Sequence, residues 1–267
     1  TWNLYAKRAS GGAEFIWMFA LATAVLYAPA VVVYALVVRP ELRLIHVVFA
    51  VLSGVIHVGY FVALQRGYQV GDLSLAYPLA RGTGPGLATG LAVLVLGERP
   101  GIGALVGTAL VVISVFVLSG GGNLLLGRGP ALAYGLATGL FIGVYTVWDG
   151  FAVGHLGAAP LFYTYTGELT RLALLTPFAL THRRKVASTW RRAKGAVFMV
   201  AILSPLAYLL VLTAMTFTPI SLVAPAREVS ILIGTIMGAR LLSEAGGRRR
   251  LIGAAGMVAG VVLLALA

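Results

Sequence analysis

The chain has no cysteine, so disulfides and thiolate metal sites are excluded. It is also poor in charge. Asp, Glu, Lys and Arg make up 10% of its 267 residues, where a soluble domain carries roughly 25%. Too few charges are present to dress a surface that faces water all round, so lipid must be part of the solvent. Acidic residues are the scarcest, 8 against 20 Lys and Arg, for a formal net charge of +12. The basic residues fall in short clusters between apolar runs. That arrangement suits anionic headgroups and the positive-inside rule better than nucleic acid, and no basic patch is interleaved with aromatics. The four histidines, His46, His57, His155 and His182, show no metal-ligand spacing. No H-E-x-x-H motif, Ser–His dyad or ATP-binding loop occurs in the apolar runs, which argues against an enzyme and against ATP-driven transport. No cofactor, metal or nucleic-acid partner is expected, and no cleavable signal peptide is visible.

What is abundant is apolar sequence. Hydrophobic residues make up 60% of the chain and its mean hydropathy is +0.96. Runs long enough to cross a bilayer, about 20 residues each, lie near 14–38, 44–65, 72–97, 101–119, 130–149, 159–181, 195–216, 219–243 and 249–267. Turn and charge signals separate them: RPELR at 39–43, RGYQVGD at 66–72, GERPG at 97–101, SGGGN at 119–123 and HRRKVASTWRRAKG at 182–195. The last is read as a solvated cytoplasmic loop beside anionic lipid. Glycines recur at G-x-x-x-G spacing at Gly86/Gly90, Gly103/Gly107, Gly135/Gly139/Gly143, Gly234/Gly238 and Gly256/Gly260. This spacing allows close helix approach within the chain or between two copies.

One segment occurs twice. SLAYPLAR at 74–81 answers ISLVAPAR at 220–227, and at an offset of 146 Arg81 meets Arg227, Leu96 meets Leu242, Glu98 meets Glu244 and Gly107 meets Gly253. At the same offset Trp2 and Asn3 meet Trp148 and Asp149, so residues 1–9 read as the tail of a span whose beginning is missing. The expectation is an all-α integral membrane protein of ten spans, here nine full spans and the end of the first. Two five-span repeats, 1–123 and 124–267, form one transmembrane domain. Five is odd, so tandem repeats must insert in opposite orientations, and the interface between them is the expected binding site. Loops on one side hold 13 basic residues (Lys7, Arg8, Arg66, Arg128, Arg183, Arg184, Lys185, Arg191, Arg192, Lys194, Arg248, Arg249, Arg250) against Arg39, Arg43 and Arg99 on the other. The richer side is expected in the cytoplasm, which puts both termini outside.

Charges inside spans are costly and mark function or pairing. Six stand out: Arg81, Asp149, Glu168, Arg171, Arg227 and Glu228, three of each sign. They can pair with one another as bundle supports. Glu168 and Arg171, three residues apart on one helix, are the pair most suited to a structural role. Arg81 follows Pro78, and Arg227 and Glu228 follow Pro225. A proline can kink the span beside each arginine and leave carbonyls for a ligand. An arginine's planar fork matches a carboxylate or phosphate. Glu168 or Glu228 could hold an amine, and Glu168 and Asp149 are candidates for taking up a proton. Tyr60 and Tyr208 stand in equivalent spans, and Trp148 and Asn3 belong to the other repeat-related pair. All four are substrate-site candidates, with ordinary packing as the alternative, and His57, one turn before Tyr60, could share its face. Gln65, Tyr145, Tyr163, Tyr165 and Ser230 are further candidates. Glu98 and Glu244 close tight turns and are read as structural, accepting backbone N–H groups or pairing with arginines.

TWNLYAKR at 1–8, LAYPLARGTGP at 75–85 with LGERP at 96–100, and LVAPAREVSILIG at 222–234 with LLSE at 241–244 together resemble EamA-type transporters of the drug/metabolite transporter superfamily. The resemblance covers essentially the whole chain. It implies a ten-span transporter that moves small metabolites, often amino acids or related compounds, by alternating access. The expected function is secondary transport of an amino acid-like zwitterion or organic anion across a bacterial cytoplasmic membrane, proton-coupled or by exchange. The expected partners are that small molecule and membrane lipid, with the chain acting as a monomer or homodimer. The alternatives are a flippase, or flippase subunit, for a lipid-linked substrate, and a non-transporting scaffold.

Overall fold

A computed structural model describes residues 12–70, 73–118, 130–231 and 248–267. Among them are nine helices and no strand: α1 (Ala13–Val38), α2 (Leu44–Val70), α3 (Leu73–Leu96), α4 (Ile102–Leu118), α5 (Pro130–Gly154), α6 (Pro160–Thr181), α7 (Arg183–Met215), α8 (Ile220–Ala226) and α9 (Arg248–Ala265). Five helical stretches are long and apolar enough to cross a membrane: Ala13–Val38, Leu44–Gly67, Leu79–Leu96, Leu132–Gly154 and Arg183–Met215. Local chemistry sets the ends. Arg39, in the left-handed region at φ 48, stops α1 just before Pro40. Gly97 at φ 69 ends α3 and Gly157 at φ 73 follows α5, a conformation glycine adopts without a Cβ clash. Pro160 supplies the first turn of α6. Trp2, Asn3, Glu244 and Gly234/Gly238 lie outside the described residues.

Four spans differ from the pattern read in the sequence; one of them, 219–243, breaks after Ala226. α2 continues to Val70, through the polar stretch expected to end it, and α5 runs past Asp149 to Gly154. The basic segment 182–195 is helical rather than a loop, and joins the following span through a kink at Ala193 (φ −130°, ψ 15°). Its Val186, Thr189 and Ala193 fall on one side of a helix while its charges are exposed. That helical spacing is hidden when the segment is read only for charge.

The chain folds as two compact units. The first is built from the described part of Thr1–Val62 and from Trp148–Phe217. In it α1 packs on α6 and α7, and α6 on α7. Pro205, inside α7, has no N–H to offer the Ala201 carbonyl four residues back. Thr23 Oγ1 of α1 donates to that carbonyl at 3.1 Å, and the Tyr27 hydroxyl donates to the next one, Ile202, at 2.7 Å.

The second unit comprises Ala63–Val147 and Thr218–Ala267. Here α3 packs on α4 and α8, and α4 packs along α9 around Val111, Val115 and Met257. The α4–α9 seam depends on two glycines: a Cβ on Gly107 would lie 2.8 Å from the Gly260 carbonyl oxygen, and one on Gly260 would lie 2.8 Å from that of Gly107. Not every glycine of the expected spacing serves this way, since Gly90 and Gly103 face open space.

The apolar and polar surfaces are distributed as a lipid solvent requires. Large apolar side chains such as Leu36, Val37, Leu94 and Ile102 are exposed, while Asp149, Glu168, Arg171 and Glu228 are buried. Thr23→Val leaves the Ala201 carbonyl without its donor and is expected to cost about 1 kcal/mol. Gly107→Val should cost about 1–3 kcal/mol or more by forcing α4 from α9. Thermal unfolding of the detergent-solubilised protein should show both losses.

Candidate functional site

In the second unit the site grows from Pro225. Pro225 cannot donate to the Ser221 carbonyl, and Thr89 Oγ1 of α3 donates to it instead, at 3.4 Å. The helix stops at Ala226 and the backbone tightens into i→i−3 bonds: Glu228 N–H to Pro225 O at 3.1 Å, Ser230 N–H to Arg227 O at 3.3 Å, and Ile231 N–H to Glu228 O at 2.8 Å. Arg227 and Glu228 are therefore carried on a turn inside what reads as one continuous apolar run. Arg81, by contrast, sits in unbroken α3 although it follows Pro78.

The two segments meet at Glu228. Its Oε1 accepts a hydrogen bond from Arg81 Nη1 at 3.2 Å and lies 3.4 Å from Arg227 Nε. Glu228 is 0% exposed, and its Oε2 has no hydrogen-bond partner among the described residues. The Arg227 guanidinium also lies 5.9 Å from the centre of the Tyr145 ring. Glu98, in the turn after α3, accepts from the N–H groups of Ile220 (2.8 Å) and Ser221 (2.9 Å). Both are orphan donors at the start of α8, so this carboxylate holds the short helix that delivers Arg227 and Glu228.

In the first unit a second buried carboxylate collects aromatic hydroxyls. Asp149, 0% exposed, accepts from Tyr163 at 2.7 Å through Oδ1 and from Tyr208 through Oδ2. The Tyr163 hydroxyl is also 3.2 Å from the Phe49 carbonyl, which Trp148 Nε1 reaches at 3.0 Å while its ring stacks on Phe49 at 4.3 Å. Tyr60 and Tyr208, the pair from equivalent spans, both lie edge-on to His57, at 6.4 and 5.3 Å between ring centres. His57 Nδ1 in turn lies 2.9 Å from the Ser53 carbonyl.

Glu168 and Arg171 form a separate pair. Arg171 Nη1 reaches both carboxylate oxygens at 2.9 Å, and its guanidinium lies 4.7 Å from the Phe61 ring centre and 5.8 Å from that of Phe19. Phe19, Phe49, Phe61, Ser53 and Thr89 are parts of these sites that the sequence did not single out. Nothing in the spacing of Phe19, Phe49, Phe61 or Thr89 marks them, because each is brought to its partner by another helix. Ser53 stands one turn before His57 on α2 with its Oγ 3.2 Å from Nδ1, a Ser–His contact not expected from the sequence. The only legible hint was a hydroxyl residue in mid-span.

A profile of the EamA-like transporter family matches residues 129–266, just over half of the 267-residue chain. The chain belongs to the EamA-like transporter family. This EamA-like chain is accordingly a multi-pass membrane transporter and not an enzyme. No curated protein matches it. A solved crystal structure of a protein superposes with a TM-score of 0.73 at 17% identity, covering 99% of this chain and 91% of the other. At that identity the likeness shows the fold.

Glu98→Ala in the EamA-like chain removes the acceptor for two backbone donors and should destabilise it by about 3 kcal/mol. Glu98→Gln keeps one acceptor and should lose less than Glu98→Ala. Chemical-denaturant unfolding of the two variants would show the order, and equal stability of wild type and Glu98→Ala would remove the capping role.

Proposed function

We propose that this protein is a secondary transporter for a small polar metabolite, an amino acid-like zwitterion or an organic anion, working by alternating access in a bacterial cytoplasmic membrane. The observation that carries the reading is the Arg81–Glu228–Arg227 cluster, with Glu228 and Arg227 on a broken helix and Arg81 on α3 beside it. Guanidiniums suit a substrate carboxylate, and the buried Glu228 Oε2, without a hydrogen-bond partner among the described residues, suits an ammonium donor. A zwitterion needs both. Broken helices are how membrane transporters bring backbone and charge to a substrate at mid-membrane depth. The ten-span, inverted-repeat arrangement belongs to this proposal; the internal match of Arg81 to Arg227 supports it. Tyr60, Tyr208 and Trp148 are assigned to lining the substrate path.

For proton coupling the proposal favours Asp149 over Glu168. Arg171 engages both oxygens of Glu168, and protonation would break that pair. At Asp149 the partners are hydroxyls, which can donate or accept. With Asp149 ionised, Tyr163 donates to it. With Asp149 protonated, the Tyr163 hydroxyl can turn its hydrogen to the Phe49 carbonyl 3.2 Å away and accept from the acid instead. Either state is satisfied without charge compensation.

A second reading rests on a groove of about 570 Å³ among α3, α4 and α5, lined by Gly82, Thr83, Val112 and Phe116 among others. Its walls are almost wholly apolar, which suits the acyl tail of a lipid-linked substrate. This supports the flippase alternative.

Uptake of a labelled pool of amino acids and small anions into proteoliposomes under a pH gradient tests the first reading. Asp149→Asn should lose gradient-driven uptake at least tenfold while exchange of substrate for substrate persists. Glu228→Gln should raise the substrate's KM at least tenfold if the substrate carries an amine. Normal gradient-driven uptake by Asp149→Asn would remove the proton role. Absence of any uptake by folded protein that scrambles fluorescent lipid would favour the second reading.

A further inference from the structure

The basic segment that proves helical has an apolar neighbour. Within the first unit a pocket of about 400 Å³ opens between α1 and the N-terminal part of α7. Its walls are almost entirely hydrocarbon and aromatic, including Trp17, Leu21, Val25, Val186, Trp190 and Phe198. Trp190 is 41% exposed and Phe198 43% exposed. They stand edge to face, 5.8 Å apart, on either side of the Ala193 kink. This size falls in the range of small-molecule sites, but the lining offers nothing to orient a polar ligand.

Charge supplies what the lining lacks. Arg183, Arg184, Lys185, Arg191, Arg192 and Lys194 are all exposed on the same segment, and no acidic residue occurs between Glu168 and Glu228 in the sequence. On α1 the nearest acidic residue is Glu14, whose carboxylate accepts the Gly12 N–H at 3.1 Å. A helix with one apolar side and many exposed cations belongs at a headgroup boundary. Trp190 at that boundary is an amphipathic anchor, and the kink separates the basic turns from the span that continues to Met215.

We propose that this pocket is a binding site for an anionic phospholipid. One acyl chain lies along Trp17, Leu21, Val25 and Phe198, and the phosphodiester meets Arg183, on the same helix side as Val186 and Trp190, with Arg191 and Lys194 flanking Trp190. The apolar wall selects a chain and the cations select an anionic headgroup, so both observations point to one ligand. The inference does not depend on what the protein transports.

The probe is dioleoyl phosphatidylglycerol against dioleoyl phosphatidylcholine, each added to the full chain in a neutral detergent, with retained lipid counted by native mass spectrometry. Phosphatidylglycerol should bind at least tenfold more tightly. The surface triple variant Arg183→Gln/Arg191→Gln/Lys194→Gln should bring the two lipids within about twofold. Ala22→Trp, which fills the pocket, should lose retention of both. As an independent readout, a dibrominated phosphatidylglycerol should quench tryptophan fluorescence, and the quenching should fall in Trp17→Phe/Trp190→Phe. Equal affinity for the two lipids would overturn the proposal, as would unchanged phosphatidylglycerol binding by Ala22→Trp. Retention of no lipid by a protein that instead dimerises through this face would overturn it too.

Discussion

Water is missing from most of this protein's surroundings, so each backbone polar group must find its partner within the chain. The prolines make that constraint visible. Pro205 and Pro225 each leave a carbonyl without its helical donor, and in each case a threonine hydroxyl from another helix fills the gap: Thr23 at Ala201, Thr89 at Ser221. Glu98 does the converse for the first N–H groups of α8. A bent or broken helix is tolerated in an apolar setting only with such partners. Here the partners also tie α1 to α7 and α3 to α8, so the satisfaction of the backbone and the packing of the helices are one set of contacts.

The same scarcity of water explains why the charges are grouped. A lone carboxylate in this interior is costly, and each buried one has a different remedy. Glu168 takes an arginine on both oxygens. Asp149 takes two tyrosine hydroxyls. Glu228 shares one oxygen between two arginines. The first remedy holds one protonation state, whereas the second is compatible with either. The third concentrates guanidiniums beside a broken backbone. Three buried carboxylates are therefore held by three different sets of partners.

The exposed surface follows the complementary rule. Apolar side chains face outward and the cations gather at helix ends, with the greatest concentration on the kinked start of α7. There six exposed cations share a helical segment with Val186 and Trp190, which form part of the wall of an apolar pocket.

Much of this was legible in the sequence. Apolar length located the helices, since hydrogen-bond satisfaction in lipid leaves an apolar run of that length few options besides a helix. Poverty of charge identified the solvent, and the in-span charges named the residues that would have to be paired. Some local outcomes were not legible: the helix at 183–193 was masked by its charge, and the continuation of α2 to Val70 by its polar residues. The Glu168–Arg171 pair, three residues apart on one helix, was legible; which hydroxyl meets which proline-freed carbonyl, which aromatic ring faces Arg171, and which tyrosines reach Asp149 were decided only by tertiary structure. Those choices depend on contacts between helices remote in sequence, such as Thr23 with Ala201 or Arg81 with Glu228, and no periodicity within one helix encodes the rotation of its neighbour.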